Sequence, residues 1–233
     1  VQSTHRDERL LGVLLLLQLA GLIVPFIMLG PVASPGFLAT AATNAGQIRF
    51  GLLLLLTNGA LTVGISSMLR RRTHTAGPSL GRWLLVLGAA MLVLQAVDNM
   101  HVLGMLATSE AHATASQTVR AVLETQSGVL AATRQAAHYT TLLAIGSWML
   151  VFYAACWRAR VAPWPFAVLG LLAATVHVAG VSMPVLLGAS ASAPMAMGLA
   201  ASHVALAGWL ITRRQVRAKA GDRLPPSVHG VPS

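Results

Sequence analysis

The chain has 233 residues, 55% of them hydrophobic and only 9% charged, with a mean hydropathy of +0.70. A soluble domain carries about 25% charged residues, so this composition excludes a water-coated globular fold. The net charge of +10 does not point to nucleic acid, because the basic residues are dispersed over several loop ends rather than gathered on one face.

Several apolar runs have the roughly 20-residue length that spans a bilayer. They are continuous rather than alternating, which argues against a membrane β-barrel. The expected fold is all-α: a polytopic membrane protein with a six-helix transmembrane bundle and an external amphipathic segment between helices three and four. The bundle is assigned to residues 1–212 and a basic, Pro-rich tail to 213–233.

Residues 1–9 are polar and of mixed charge. The first span is assigned to 10–29. Its length, and the lack of a small-residue cleavage site close behind it, argue against a signal peptide. Pro25 removes a backbone donor and is expected to kink it near its outer end. Residues 30–48 read as a loop rich in Gly, Pro, Ala and Thr, with a short interfacial helix over 37–47. The second span covers 49–69 and ends in Arg70, Arg71 and Arg72.

The third span covers 83–106. It contains Asp98, the only acidic residue inside an apolar span. Residues 107–134 are polar with loosely helical apolar spacing, which gives the external amphipathic helix, continuous with or next to the fourth span. The fourth span covers 136–157, a short basic turn follows, and the fifth covers 164–187. A small-residue turn (GASASAP) leads to the sixth, 195–211, and then to the tail, which is expected to be disordered.

Charge placement supports this segmentation. One side collects Arg6, Arg9, Arg70, Arg71, Arg72, Arg82, Arg158, Arg160, Arg213, Arg214, Arg217, Lys219 and Arg223, and the other only Arg49, Arg120 and Arg134. By the positive-inside rule both termini are cytoplasmic, in a bacterial inner membrane. Cys156 is the only cysteine, so no intrachain disulfide and no CxxC site exist.

Height arithmetic at 1.5 Å per residue then groups the polar side chains. Arg49, Asp98, His101 and His138 fall at one level near the outer boundary, with Asn44, Asn99 and Tyr139 nearby. An ionisable residue inside a span is by default a functional hypothesis. The bland alternative is that Asp98 pairs with Arg49 or a histidine and locks the helices. His177 and His203 form a second, inner level on adjacent spans. Histidines facing across helices at one depth suit the axial positions of haem iron, so His101 with His138 and His177 with His203 would make two stacked haem b sites. A metal on His101 and His138 is the related reading. The methionines Met100, Met105, Met183, Met195 and Met197 suit Cu(I), though methionine is also ordinary apolar filler.

No HExxH, GxSxG, P-loop or Glu-x-x-His pair occurs, so no enzyme class is indicated. Three functions stay open. One is a haem- or metal-binding electron-transfer protein, with Asp98 orienting a histidine or relaying protons and Arg49 anchoring a propionate. Another is a non-enzymatic transporter or binder of a small anionic or lipophilic molecule, such as a quinone, at the Arg49, Asp98 and Asn44 level. The third is an accessory subunit of a larger membrane complex or homo-oligomer. The lipid bilayer is the partner common to all three.

The run ATNAGQIRFGLLLLL, the six-span layout and the AAHYTTLLAIG start of span four resemble a bacterial multi-pass family, the domain of unknown function numbered four-three-eight-six. The resemblance directs attention to Asn44, Arg49 and His138. This chain departs from it at GSWMLVF, where the family often has a second His. The resemblance implies the architecture and the outer site, and no activity.

Overall fold

The computed structural model describes residues 2–74, 77–187 and 194–221, with the side chains of 6–74, 77–184, 186 and 198–213. Among the described residues every regular element is helical. The elements are α1 (Gln2–Met28), α2 (Gly30–Ala33), α3 (Phe37–Thr40), a 3-10 turn (Ala42–Asn44), α4 (Ala45–Thr73), α5 (Pro78–Thr114), α6 (Gln117–Arg158), α7 (Trp164–Leu187) and α8 (Pro194–Gly221).

Local chemistry sets the boundaries. α1 runs through Pro25 and stops three residues later at Met28. α5 opens on Pro78, where a missing N–H costs nothing. It closes where Ala115 and Ser116 turn extended, and the Arg120 guanidinium donates to the Ala113 carbonyl across the corner, 3.2 Å. α6 ends with Val161 N–H on the Cys156 carbonyl (3.0 Å) and Arg160 left-handed at φ 51°. That is a Schellman-type stop with arginine in the place glycine usually takes.

The long helices form a closed ring in chain order. α1 packs on α4, α4 on α5, α5 on α6, α6 on α7, α7 on α8, and α8 back on α1. Among the described residues five helices are long and apolar enough to cross a membrane: Arg6–Met28, Ala42–Thr73, Pro78–Thr114, Gln117–Arg158 and Trp164–Pro184. The expected sixth span falls within α8, which closes the ring. Leu17, Leu53, Val93 and Leu172, on four different helices, are exposed. An apolar exterior on every side is the surface a lipid bilayer covers, and the protein is an integral membrane protein.

Two apolar clusters fill the interior. The larger includes Leu11, Leu15, Ile65, Leu69, Leu84, Trp148, Phe152, Tyr153 and Leu206. The smaller joins Leu29, Val32, Phe37, Ala41, Ile48, Leu52, Val102 and Leu106. The expected 30–48 loop is therefore a packed cap made of α2, α3 and the 3-10 turn. Ser109 on α5 pins it, accepting from Ala42 N–H (2.9 Å) and donating to the Leu38 carbonyl (2.9 Å).

The sequence boundaries differ most at α5 and α6. With 37 and 42 residues they are about 55 and 63 Å long, roughly twice a hydrocarbon core of about 30 Å. The 107–134 segment is divided between these two helices, and most of it is continuous with the fourth span. Its first part extends α5 and the remainder, from Gln117, begins α6. The turn expected at 188–194 falls mostly in 188–193, outside the described residues. α8 continues to Gly221 through the start of the expected tail, and 222–233 also lie outside.

Candidate functional site

α5 and α6 run antiparallel, and one face of α6 meets α5 through side chains spaced i, i+4, i+7. Thr141 donates to the Leu94 carbonyl at 3.3 Å. One turn outward, His138 Nδ1–H donates to Asp98 Oδ2 at 3.1 Å. A further turn outward, Arg134 Nε lies 3.5 Å from Asp98 Oδ1. α4 holds the other side of α5: Asn99 donates to the Leu52 carbonyl (3.0 Å) and accepts from Gln95 (3.0 Å). With Asn99 fixed on α4, the adjacent Asp98 faces α6.

The Asp98 side chain is 4% exposed, Arg134 16% and His138 30%. A carboxylate so deep needs cationic company. Yet the pairing with Arg134 is loose. Neither Asp98 Oδ1 nor Arg134 Nε has a hydrogen-bond partner among the described residues. At 3.5 Å they are beyond the 2.7–2.9 Å of a charge-assisted bond, and the two-pronged contact of a locked Arg–carboxylate pair is not formed.

The other expected site residues are placed as follows. Arg49 is turned outward and forms an ion pair with Glu110 at 2.7 Å, both well exposed. It does not reach Asp98. Long cationic side chains turn toward water when they can, and α5 extends far enough to offer Glu110. Asn44 donates to the Thr40 carbonyl (2.8 Å) and to Thr43 (3.2 Å), inside the cap. His101 is half-buried one turn outward from Asp98 and bonds to no described residue. Glu124, well exposed, meets His112 at 3.2 Å across the outer hairpin.

His177 and His203 are not level. Gly198 of α8 sits against Ala173 of α7, which puts His203 opposite residue 168, about 13 Å below His177. Each is engaged on α6: His177 Nε2 with the Leu142 carbonyl at 3.3 Å, and His203 Nδ1 with the Tyr153 hydroxyl at 3.3 Å. Two axial ligands must face one iron, and these do not. Among the described residues no group of three or more His, Cys, Asp or Glu is placed to share a metal ion. Met100 is exposed to the outside and Met105 is buried in the smaller cluster. The side chains of Met195 and Met197 lie outside those described.

Two features escaped the sequence reading. A polar line crosses the ring: Gln18 donates to Thr62 (2.6 Å), Thr62 to the Asn58 carbonyl (3.0 Å), and Trp148 to Ser66 (2.8 Å). At the basic end Glu8 binds Arg72 (3.4 Å) and Arg213 (3.1 Å), which joins α1, α4 and α8.

Comparison with known proteins gives one result. The family model described as a domain of unknown function, DUF4386, matches residues 10–213. No curated protein and no solved structure matches the chain.

Proposed function

The chain belongs to the DUF4386 family, and we propose that it is a non-enzymatic binder or transporter of a small anionic molecule, received at Asp98, Arg134 and His138. The reading places six spans in a bacterial cytoplasmic membrane with both termini inside. It is supported by Arg6, Arg9, Arg70, Arg71, Arg72, Arg82, Arg158, Arg160 and Arg213 at one end, against Arg49, Arg120 and Arg134 toward the other. The outer halves of α5 and α6 then stand out of the bilayer as a hairpin.

The observation that carries the binding reading is the open ion pair. Arg134 offers guanidinium donors that Asp98 does not use, and its side chain keeps some access from outside. An incoming carboxylate can take the fork-to-fork geometry that Asp98 lacks, while His138 retains Asp98 through Nδ1. The test is a titration of detergent-purified protein with benzoate, a small lipophilic carboxylate. Wild type gains thermal stability with benzoate and Arg134→Gln does not; equal gains in both sink the reading.

A second reading, of haem b or another metal at the outer level, is favoured by one contact. A histidine that ligates metal typically gives its other ring N–H to a carboxylate, and His138 gives Nδ1–H to Asp98. Nε2 of His138, with His101 nearby, would be the ligands. This reading requires visible bands in dithionite-reduced protein that vanish in His138→Ala and His101→Ala. A flat spectrum removes it.

A further inference from the structure

A second cluster lies at the opposite, basic end of the bundle, away from Asp98. A cavity of about 380 Å³ opens between the end of α4 and the start of α5, lined by Ser67, Arg70, Arg71, His74 and Leu85. Its volume is within the roughly 300–1,000 Å³ typical of small-molecule sites. The described acids of this end are occupied elsewhere: Asp7 by Arg72, and Glu8 by Arg72 and Arg213. No described carboxylate pairs with Arg70 or Arg71.

The start of α5 adds to the positive field. Gly81 presses on α4, where a Cβ would lie 3.1 Å from the Arg70 Cα. The first turn of α5 therefore sits beside Arg70. It carries no acidic residue, so the positive end of its dipole is uncompensated by side chains. Lining residues change with depth. The arginines and His74 form the rim; Ser67 and Leu85 lie about a turn further into the bundle. Trp83, well exposed, stands at the rim level where interfacial tryptophans collect.

We propose that this groove binds the phosphate headgroup of an anionic phospholipid of the cytoplasmic leaflet. Arg70 and Arg71 would hold the phosphate oxygens through charge-assisted bonds, and Ser67 would meet the glycerol portion. The acyl chains would run along the apolar outside of α4 and α5. Basic pockets at this level of a bundle recognise such headgroups. The inference rests on the membrane orientation given above and is independent of the Asp98 site.

The test uses the full chain in nanodiscs of equal parts phosphatidylcholine and phosphatidylglycerol, with lipid retained through detergent extraction counted by native mass spectrometry. Each arginine near an anionic headgroup is worth about fivefold. Wild type retains phosphatidylglycerol selectively, and Arg70→Gln/Arg71→Gln lowers its retention about 30-fold. Arg158→Gln/Arg160→Gln, the same charge change at the same end, leaves it near wild type. Unchanged retention in the first pair, or equal loss in the second, overturns the proposal. So does saturation by millimolar inorganic phosphate with no lipid preference, which would assign the groove to a soluble anion. A wild-type thermal transition in the Arg70→Gln/Arg71→Gln protein shows that it is folded. If this protein instead fails to fold, Arg70→Lys/Arg71→Lys decides: retention reduced but selective supports the site, and retention unchanged refutes bidentate recognition by arginine.

Discussion

Truncating Asp98 gives a measurable test of how firmly α5 and α6 are joined. At the observed 3.5 Å, opposite charges attract by about 5 kcal/mol for an effective dielectric near 20. Burying Asp98 offsets several kcal/mol of that. The hydrogen bond that would add about 1.5–3 kcal/mol is missing between Oδ1 and Nε. The expected coupling of Asp98 with Arg134 is therefore small, about 1–2 kcal/mol. Asp98→Ala alone should cost about 2–3 kcal/mol, because it strands Arg134 and removes the partner of His138. This is below the 3–5 kcal/mol of a fully buried pair, since the Arg134 and His138 side chains are 16% and 30% exposed. The assay is a double-mutant cycle of Asp98→Ala and Arg134→Leu, read by SDS-induced unfolding in mixed micelles. The fluorescence of buried Trp148 can report the transition. Coupling below about 0.5 kcal/mol, within the additivity of independent sites, would mean that the pair does not form. Coupling above about 3 kcal/mol would mark a locked structural pair and refute the open site.

Three other outcomes follow from single contacts. Arg49→Ala should change stability by less than about 0.5 kcal/mol, because its ion pair with Glu110 is exposed, and should leave benzoate binding unchanged in the same titration. Gly170→Ala places a methyl group against the Tyr153 ring, which is fully buried and held by Ser202 and His203. It should cost at least about 2 kcal/mol in thermal unfolding, and Tyr153→Leu in the same chain should recover part of it. Arg160→Gly releases a left-handed strain of about 1–2 kcal/mol against a smaller entropy loss, so it should raise the unfolding midpoint.

The parts of this molecule legible in the sequence are those that depend on apolarity. Leucine-rich runs announced the helices, and Asp98 and His138 stood out because a charge in such a run needs a reason. Arg134 was missed because residues 107–134 read as lying outside the bilayer, either continuous with the fourth span or beside it. Once α6 is taken as continuous, Arg134 and His138 are an i, i+4 pair on one face, and that spacing was the available signal. Arg49 was grouped with Asp98 by height alone. Height does not say which way a long side chain turns, and Glu110 on the extended α5 draws it outward. The shared level of His177 and His203 was an artefact of counting from the ends of apolar runs. Gly198 of α8 lies beside Ala173 of α7, and no hydropathy pattern encodes that register. The groove at Arg70 and Arg71 was hidden by the same arginines that gave the orientation, since a stop signal and a binding rim have the same composition.

The measurement that bears most directly on the Asp98 site is benzoate affinity in Asp98→Asn. If Asp98 is an internal carboxylate that a ligand must displace from Arg134, removing its charge removes the competitor. Affinity should then rise by about tenfold, the equivalent of the 1–2 kcal/mol coupling. Affinity that falls or stays unchanged, in protein that unfolds with a wild-type transition, would contradict a site built on the open Asp98–Arg134 pair.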